Sequence, residues 1–486
     1  MEIVKNIPKI VEIAKERENY LAHNKCLLNI YEGDLLQYIE KDLRLTMSPR
    51  AFTQAMSRVA PINILIKIID KLSKIYQQRL TRYVADGVEE DSSLLSWYEK
   101  KLQINNKMNI SNEYFNLFKT SLIYPFLNKG QPALRIIPGD RFFVISDDLV
   151  DPMNPTCVVL VMREEKDYKN GVTTIYQAFT DQEQVFFNSK GEILFDEMAK
   201  MNNPEGINPI GKIPFVYVNK STNRLMPIQD SDTLKMTKLI PIILTDLNYA
   251  VMYQAFSIVY GINLDASQME KNPDTIWFLK SDDPEKKPEI GVLKPEVDIS
   301  ETLNLIQSQL SMWLNSKGIR PGSIGTLTQD SFASGISKMI DEMDTSEDRK
   351  EQVGYFVDAE AKLWDLIMHN MHPYWVSQGL IENSYLFTST ASVITEFIEQ
   401  RPMAQRKDLI EEVYREYSLG FMTLKDAIIR LNPEFSETKA LEYLNEIQKE
   451  RTIEIDASTL QQNIDQSDSV DYPKQPSDLE DELSLS

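Results

Sequence analysis

The sequence predicts a mainly helical α+β protein built from several folding units. Apolar residues recur at helical spacing along most of the chain, whereas the run from 132 to 220 is dense in β-branched and aromatic residues. At 486 residues the chain is also longer than one hydrophobic core usually serves.

The opening MEIVKNIPKIVEIAKERENY reads as an amphipathic helix with acids and bases mixed, and not as a secretory leader. The helical pattern continues to about Asn128. Pro61 punctuates the start of INILIKIIDKLSKIYQQRL, where Ile62, Ile66, Ile69 and Leu72 form a stripe that Ile75 and Tyr76 extend. The texture then changes. RFFVISDD, TCVVLVMREE, VTTIYQAF and QVFFN are strand-like, Asn170-Gly171 is a hairpin turn, and Asn188 to Gly191 supplies a second one. These runs predict one small antiparallel sheet of four to six strands within a helical protein.

Asp230 and Ser231 open the next helix, which Pro241 should kink or restart and which should run to about Tyr260, with Gly261 as its C-cap. Its apolar part, Leu239 to Ile262, contains Asp246 and Asn248, too polar for a bilayer span of about 20 residues; a buried or interface helix in a soluble, intracellular protein is the expectation. Trp277 to Leu279 read as a strand and SDDPEKKPE as a charged turn. Asp298 caps a helix with Glu301 three residues on, and Ile299, Leu303, Ile306, Leu310 and Trp313 step by 4, 3, 4, 3, a packing seam that Gly318 stops. Residues 319–335, IRPGSIGTLTQDSFASG, form a polar loop, most simply a solvent connection, although a loop of this length without structure of its own is uncommon and more often functional. A long helix follows from Ile336 to about Met371; DTSEDRKEQ puts charge on every face of it, and Gly354 is a place for a bend. Beyond Pro373, residues 392–450 read as short helices broken at Pro402 and Pro433. From Arg451 onward nine acids against two bases, among Gln, Ser and Pro, have the composition of a disordered tail.

Composition excludes several functions. The chain has 52 Lys and Arg against 73 Asp and Glu, a net charge of -21, which argues against a surface that grips phosphates. Cys26 and Cys157 can form at most one bridge, and with three histidines they leave little for a transition-metal site; no cofactor is expected. Gly206 to Lys212 spell G-x-x-x-x-G-K, but Ile213 and Pro214 stand where a phosphate-binding loop needs a Ser or Thr and a helix. His369 and His372, with Asp365 a turn earlier, lack a third ligand at diagnostic spacing and read as surface or helix-end residues. Pro321 precedes Ser323 where a nucleophile elbow needs glycine, and pairs such as Asp341 with Glu342 identify nothing in so acidic a chain. No catalytic constellation emerges, and the chain is not expected to be an enzyme.

The order of segments resembles that of tailed-bacteriophage portal proteins, the head–tail connectors. The likeness spans roughly residues 50 to 450: a β region ending in IPFVYVNK, the helix with DLNYAVMYQAFSIVYGI, a short excursion, ISETLNLIQSQLSMWLNSKG, SFASGISKMIDEMDTSEDRKEQ, and late GFMTLKDAIIRLNPEFSETKALEYLNEIQKE. The resemblance implies a non-enzymatic ring, generally of twelve subunits, at a capsid vertex, assembled in the host cytoplasm, through which double-stranded DNA is packaged and ejected. It implies a wing (1–228, with the β region 132–220, and 336–378), stem helices (229–260 and 299–318), a clip (261–298), a tunnel loop (319–335), a crown (379–455) and an acidic tail (456–486). The implied partners are the terminase large subunit, the major capsid and scaffolding proteins and a head–tail adaptor, with no membrane. Within the loop, Ser323, Thr326, Thr328, Gln329 and Ser331 offer breakable hydrogen bonds to DNA, and Lys317 and Arg320 are the nearest bases. Two other classes remain compatible with the residues: a cellular helical scaffold or adaptor, and a nucleic-acid-processing enzyme, for which a metal-binding acid cluster of defined spacing would be the mark.

Overall fold

Helix α1 (Ile3–Glu16) buries Ile3, Ile7, Ile10, Val11 and Ala14 along one stripe, as its periodicity requires. The computed structural model describes residues 2–77, 80–167, 171–255, 258–262, 289–293, 299–316, 346–397, 403–432 and positions 440, 441, 443–445 and 447. They are mixed helix and sheet, in two compact units, Met1–Phe397 and Ile398–Ser486.

In the first unit α2 (Glu18–Tyr31), α3 (Leu35–Thr46), α4 (Pro49–Met56) and α5 (Ile64–Leu72) follow α1. Ser48 caps α4 by accepting from the Ala51 N–H, with Pro49 in the first turn. Helix α5 is shorter than the sequence pattern suggests and is rotated: Ile64, Leu65, Ile68 and Ile69 are buried while Ile62 and Ile66 are only half-buried, because the helix lies between two cores and not on one. A single 3-10 turn takes in Ile75 and Tyr76, and strand β1 (Leu80–Ala85) interrupts the expected helical run before α6 (Glu89–Leu102) and α7 (Ile104–Phe118).

The sheet region also departs from expectation. It begins at Thr120 and forms two antiparallel sheets. One, in the order β3-β2-β8, joins β2 (Thr120–Asn128), β3 (Gln131–Ile137) and β8 (Val216–Asn219). The other, in the order β4-β5-β6-β7, joins β4 (Phe142–Ile145), β5 (Cys157–Asp167), β6 (Gly171–Phe179) and β7 (Gln184–Asn188). The short helix α8 (Phe195–Lys200) lies between β7 and β8. The expected hairpin joins β5 to β6, with Asp167 opposite Gly171 and a register shift between Val161 and Arg163. The second expected turn is closed by the Gly191 N–H on the Asn188 carbonyl at 2.9 Å, with Gly191 at φ +87, a conformation open to glycine without strain.

Helix α9 (Ser231–Ala255) stops five residues short of Tyr260; β9 (Ile258–Ile262) takes Gly261 into a strand that pairs antiparallel with β10 (Glu289–Leu293). Helix α10 (Ile299–Ser316) and α11 (Ser346–Leu366) follow, and α11 runs through Gly354 without a break. A π-helical turn (Ile367–Met371) leads into α12 (His372–Ser377), so the helical path carries on past Pro373, which sits at the start of α12 where its missing N–H is not needed. Residues 392–397, expected to be helical, form β11 (Ser392–Phe397), paired with β1 from Leu80 opposite Phe397 to Ala85 opposite Ser392.

The stripe of α1 packs on the four-stranded sheet through Phe142, Phe143, Val159 and Phe187. The three-stranded sheet meets α6, α7 and α11 through Ile123, Val216, Val218, Phe115, Phe356 and Trp364. In the second unit α13 (Met403–Ser418) and α14 (Leu424–Leu431) bury Val413, Ala427 and Ile428, and Arg430 bridges to Glu412 and Glu416 at 2.6 and 2.5 Å. Thr423 caps α14 by accepting from the Asp426 N–H.

Candidate assembly surface

Helices α9 and α10 pack on each other and on α5. The shared core holds Ile64 and Ile68, Ile240 and Leu244, and Ile306, Leu310, Trp313 and Leu314. The seam read from the sequence of α10 therefore holds at Ile306, Leu310 and Trp313; its first residue, Ile299, is 37% exposed. Pro241 does not restart α9, which runs through it with Ile240 and Leu244 on either side anchored in that core. One turn on, the Thr245 hydroxyl donates to the Pro241 carbonyl at 2.7 Å. Lys238 ties α9 to Asp42 of α3 at 2.7 Å, and the Asn248 amide donates to the Arg58 carbonyl at 3.2 Å.

The outward side of α10 is unusual. Glu301, Leu305, Ser308, Met312 and Ser316 follow one another at helical spacing and are all exposed, Leu305 at 51% and Met312 at 69%. Glu301 is the single charged residue of the helix, which contains no Lys or Arg. A solvent-facing helix normally carries charge on that side. Among the described residues no helix is long and apolar enough to cross a membrane.

The residues weighed as chemical sites fall elsewhere. His372 is a core residue, not a surface one. Its Nε2–H donates to the Tyr385 carbonyl and its Nδ1 accepts from the Tyr98 hydroxyl, both at 2.7 Å, which fixes one neutral tautomer. Burial pushes its pKa below the ordinary imidazole value. The His369 Nε2–H donates to the Ala391 carbonyl at 3.0 Å. Asp365 pairs instead with Lys212, the lysine of the G-x-x-x-x-G-K segment, at 2.8 Å on the surface. No cluster of three metal-ligating side chains occurs among the described residues. Cys26 and Cys157 are both free, and burial pushes the Cys157 thiol up to about 12. Lys317, Arg320, Ser323, Thr326, Thr328, Gln329 and Ser331, with the rest of 319–335, lie outside the described residues, as do Asp298, Trp277 to Leu279, Asp341, Glu342 and the acidic tail.

Sequence reasoning missed a buried polar centre beneath the β1–β11 ribbon. Arg82 makes a two-pronged contact with Glu360 at 2.6 and 2.7 Å and also donates to Glu99 and Asn105. Glu360 accepts further hydrogen bonds from the Thr395 hydroxyl at 2.9 Å and the Trp364 indole at 3.3 Å. Both charged side chains are at most 1% exposed. The partners come from β1, α6, α7, α11 and β11, so the centre fixes their mutual placement. The only signal for it in the sequence was a lone Arg in an alternating strand.

No protein-family model and no curated protein matches the chain. Among solved structures it is similar to a chain in the neck of an empty GTA particle computed with C6 symmetry, at a TM-score of 0.37 and 10% identity over 79% of this chain and 94% of that one. It is also similar to a chain of the virion of a native gene transfer agent (GTA) particle, at a TM-score of 0.35 and 8% identity over 81% of this chain and 98% of that one. Likeness of this degree leaves function to be argued from the chain's own residues.

Proposed function

We propose that the chain is the subunit of a portal-type ring, a structural connector through which double-stranded DNA passes into and out of a virion. The observation that carries this reading is the outward side of α10, where Leu305 and Met312 stand exposed beside Ser308 and Ser316 with Glu301 as the single charge, on a helix whose other side is already packed. Such a face needs a partner, and a closed ring supplies one at each subunit boundary without leaving a free end. The segment order read from the sequence adds the assignment of roles: α9 and α10 as the stem, 261–298 as the clip, 319–335 as the tunnel loop, residues 1–228 and 336–378 as the wing and 379–455 as the crown. A wall helix without Lys or Arg suits a channel past which phosphates slide, since each neutralised phosphate would add to a sequence-independent grip. In this reading the polar residues of 319–335 touch DNA, and terminase and the head–tail adaptor dock on the clip.

Negative-stain microscopy with native mass of the purified chain tests the ring. A closed ring with a central opening wide enough for duplex DNA is expected; a monomer or dimer persisting at high concentration overturns the reading. Replacing 319–335 by a short Gly/Ser linker should leave the ring intact and impair DNA packaging or retention. Unchanged packaging removes the role given to the loop.

A further inference from the structure

We propose that the free edge of β8 receives an extended segment of another protein, apolar and basic in alternation, as an added strand. β8 ends the sheet order β3-β2-β8 and, among the described residues, pairs with β2 alone. Two adjoining cavities of about 460 and 390 Å³ lie along it, the first lined by Val216 and Tyr217 and the second by Tyr217, Val218 and Asn219. Successive residues of a strand point to opposite faces of its sheet. Here Val216 and Val218 pack into the core under α11, whereas Tyr217 packs against the core of the four-stranded sheet. A groove reached by all four residues in a row therefore runs along the edge of the strand and not over either face. At such an edge alternate backbone N–H and C=O groups point away from the neighbouring strand, which is what an incoming strand pairs with.

The walls give the occupant its chemistry. One wall is α11, which presents Tyr355, Asp358 and Lys362 from one side of the helix; the other is the loop 151–156. Next to that loop Leu149 and Val150 stand 96% and 94% exposed. They are held there because the N–H groups of Val150 and Asp151 both donate to one Asp148 carboxylate oxygen, at 2.8 and 3.1 Å. This tip offers an apolar contact beside the groove. Asp151, Asp181 and Asp358 line the cavities against Lys362, while the charge of Lys212 is already matched by Asp365. The rim is net acidic, so it selects a basic segment and disfavours both nucleic acid and the chain's own acidic tail. Four residues of β8 at about 3.3 Å each accommodate an added strand of similar length.

A fluorescein-labelled hexapeptide of alternating Val and Lys is the probe, read by fluorescence anisotropy with the full-length chain. The same peptide N-methylated on each alternate set of residues, and a Val/Glu peptide, are the controls. The double variant Asp151→Lys/Asp358→Lys is compared with Glu12→Lys/Glu16→Lys, which makes the same change in charge on α1. We expect one N-methylated set and the groove variant each to weaken binding by about tenfold, the cost of one or two main-chain hydrogen bonds, and the α1 variant to bind as the parent does. Equal binding of both N-methylated peptides, equal weakening by the two double variants, or no binding of the Val/Lys peptide each overturn the proposal. A change in subunit number confined to the groove variant would assign the edge to a second copy of the chain and overturn it as well. Ring formation by the parent chain is read separately, so failure here leaves the connector reading untouched.

Discussion

The region around Glu360 and the pair α9–α10 solve the same problem, holding distant segments together, in opposite ways. Around Glu360 a buried guanidinium and carboxylate, with Thr395, Trp364, Glu99 and Asn105, satisfy one another within a single chain and leave little that a neighbour could add. The α9–α10 pair uses apolar packing on one side and leaves Leu305 and Met312 in the open on the other. The first region is complete in the monomer. The second keeps an exposed apolar pair, and it is there that the proposed reading puts assembly.

The first variant breaks the complete region. Glu360→Met leaves Arg82 buried with only Glu99 and Asn105 to pair it, and urea unfolding should show a loss of about 3 kcal/mol, the low end for breaking a buried pair. The double variant Arg82→Met/Glu360→Met should recover much of it, since the cost lies mainly in the orphaned charge. Leu310→Ala removes a fully packed side chain from the helix pair and should cost about 2–5 kcal/mol in the same assay. On the opposite side of that helix, Leu305→Glu with Met312→Glu should change monomer stability by no more than about 0.5 kcal/mol, as surface substitutions do, yet abolish higher assembly in sedimentation. A large stability loss from this pair would erase the contrast between the two sides.

Two buried groups outside that centre, His372 and Asp91, set the pH response of the same unit. The pKa of buried His372 is lowered, so the unfolded chain binds the proton better: stability is full above about pH 6.5, the ordinary imidazole value, and falls as pH drops toward the lowered folded value. Burial would push Asp91 up, but the N–H groups of Val88 and Thr388, at 2.9 and 3.0 Å, hold its carboxyl below the usual range. Its stabilisation is therefore present at neutral pH and lost only in more acidic solution, as pH falls through that lowered value. Thermal melts from pH 8 to 5 should show the first loss, and His372→Phe should flatten it. The smallest effect belongs to the exposed Lys212–Asp365 pair, where Lys212→Ala should cost at most about 1 kcal/mol and less in high salt.

What the sequence disclosed follows the range of the interactions involved. The β5–β6 hairpin, the turn at Gly191 and the inner face of α10 depend on residues a few positions apart, and all three were legible. β1 and β11 pair across about three hundred positions, and neither LTRYVA nor SVITEF announces its partner, so local pattern alone reads both as helix. β9 was hidden because Ile258 to Ile262 prolong the apolar run of α9, and periodicity does not separate a short strand from a buried helix end. At Pro241 and Gly354 the helices continue despite local signals for a break; around Pro241 the neighbours Ile240 and Leu244 are held in a shared core. Of the assembly surface, the inner seam could be read from spacing, while the exposure of Leu305 and Met312 needed the position of α9 and α5.

In the proposed reading the open side of α10 joins copies of this chain into a ring. Native mass of the parent chain beside Leu305→Glu/Met312→Glu, with negative-stain images of both, tests it most directly. A closed ring with a central opening is expected for the parent and a folded monomer for the variant. A parent that stays monomeric at high concentration, or a variant that forms the same ring, would contradict it.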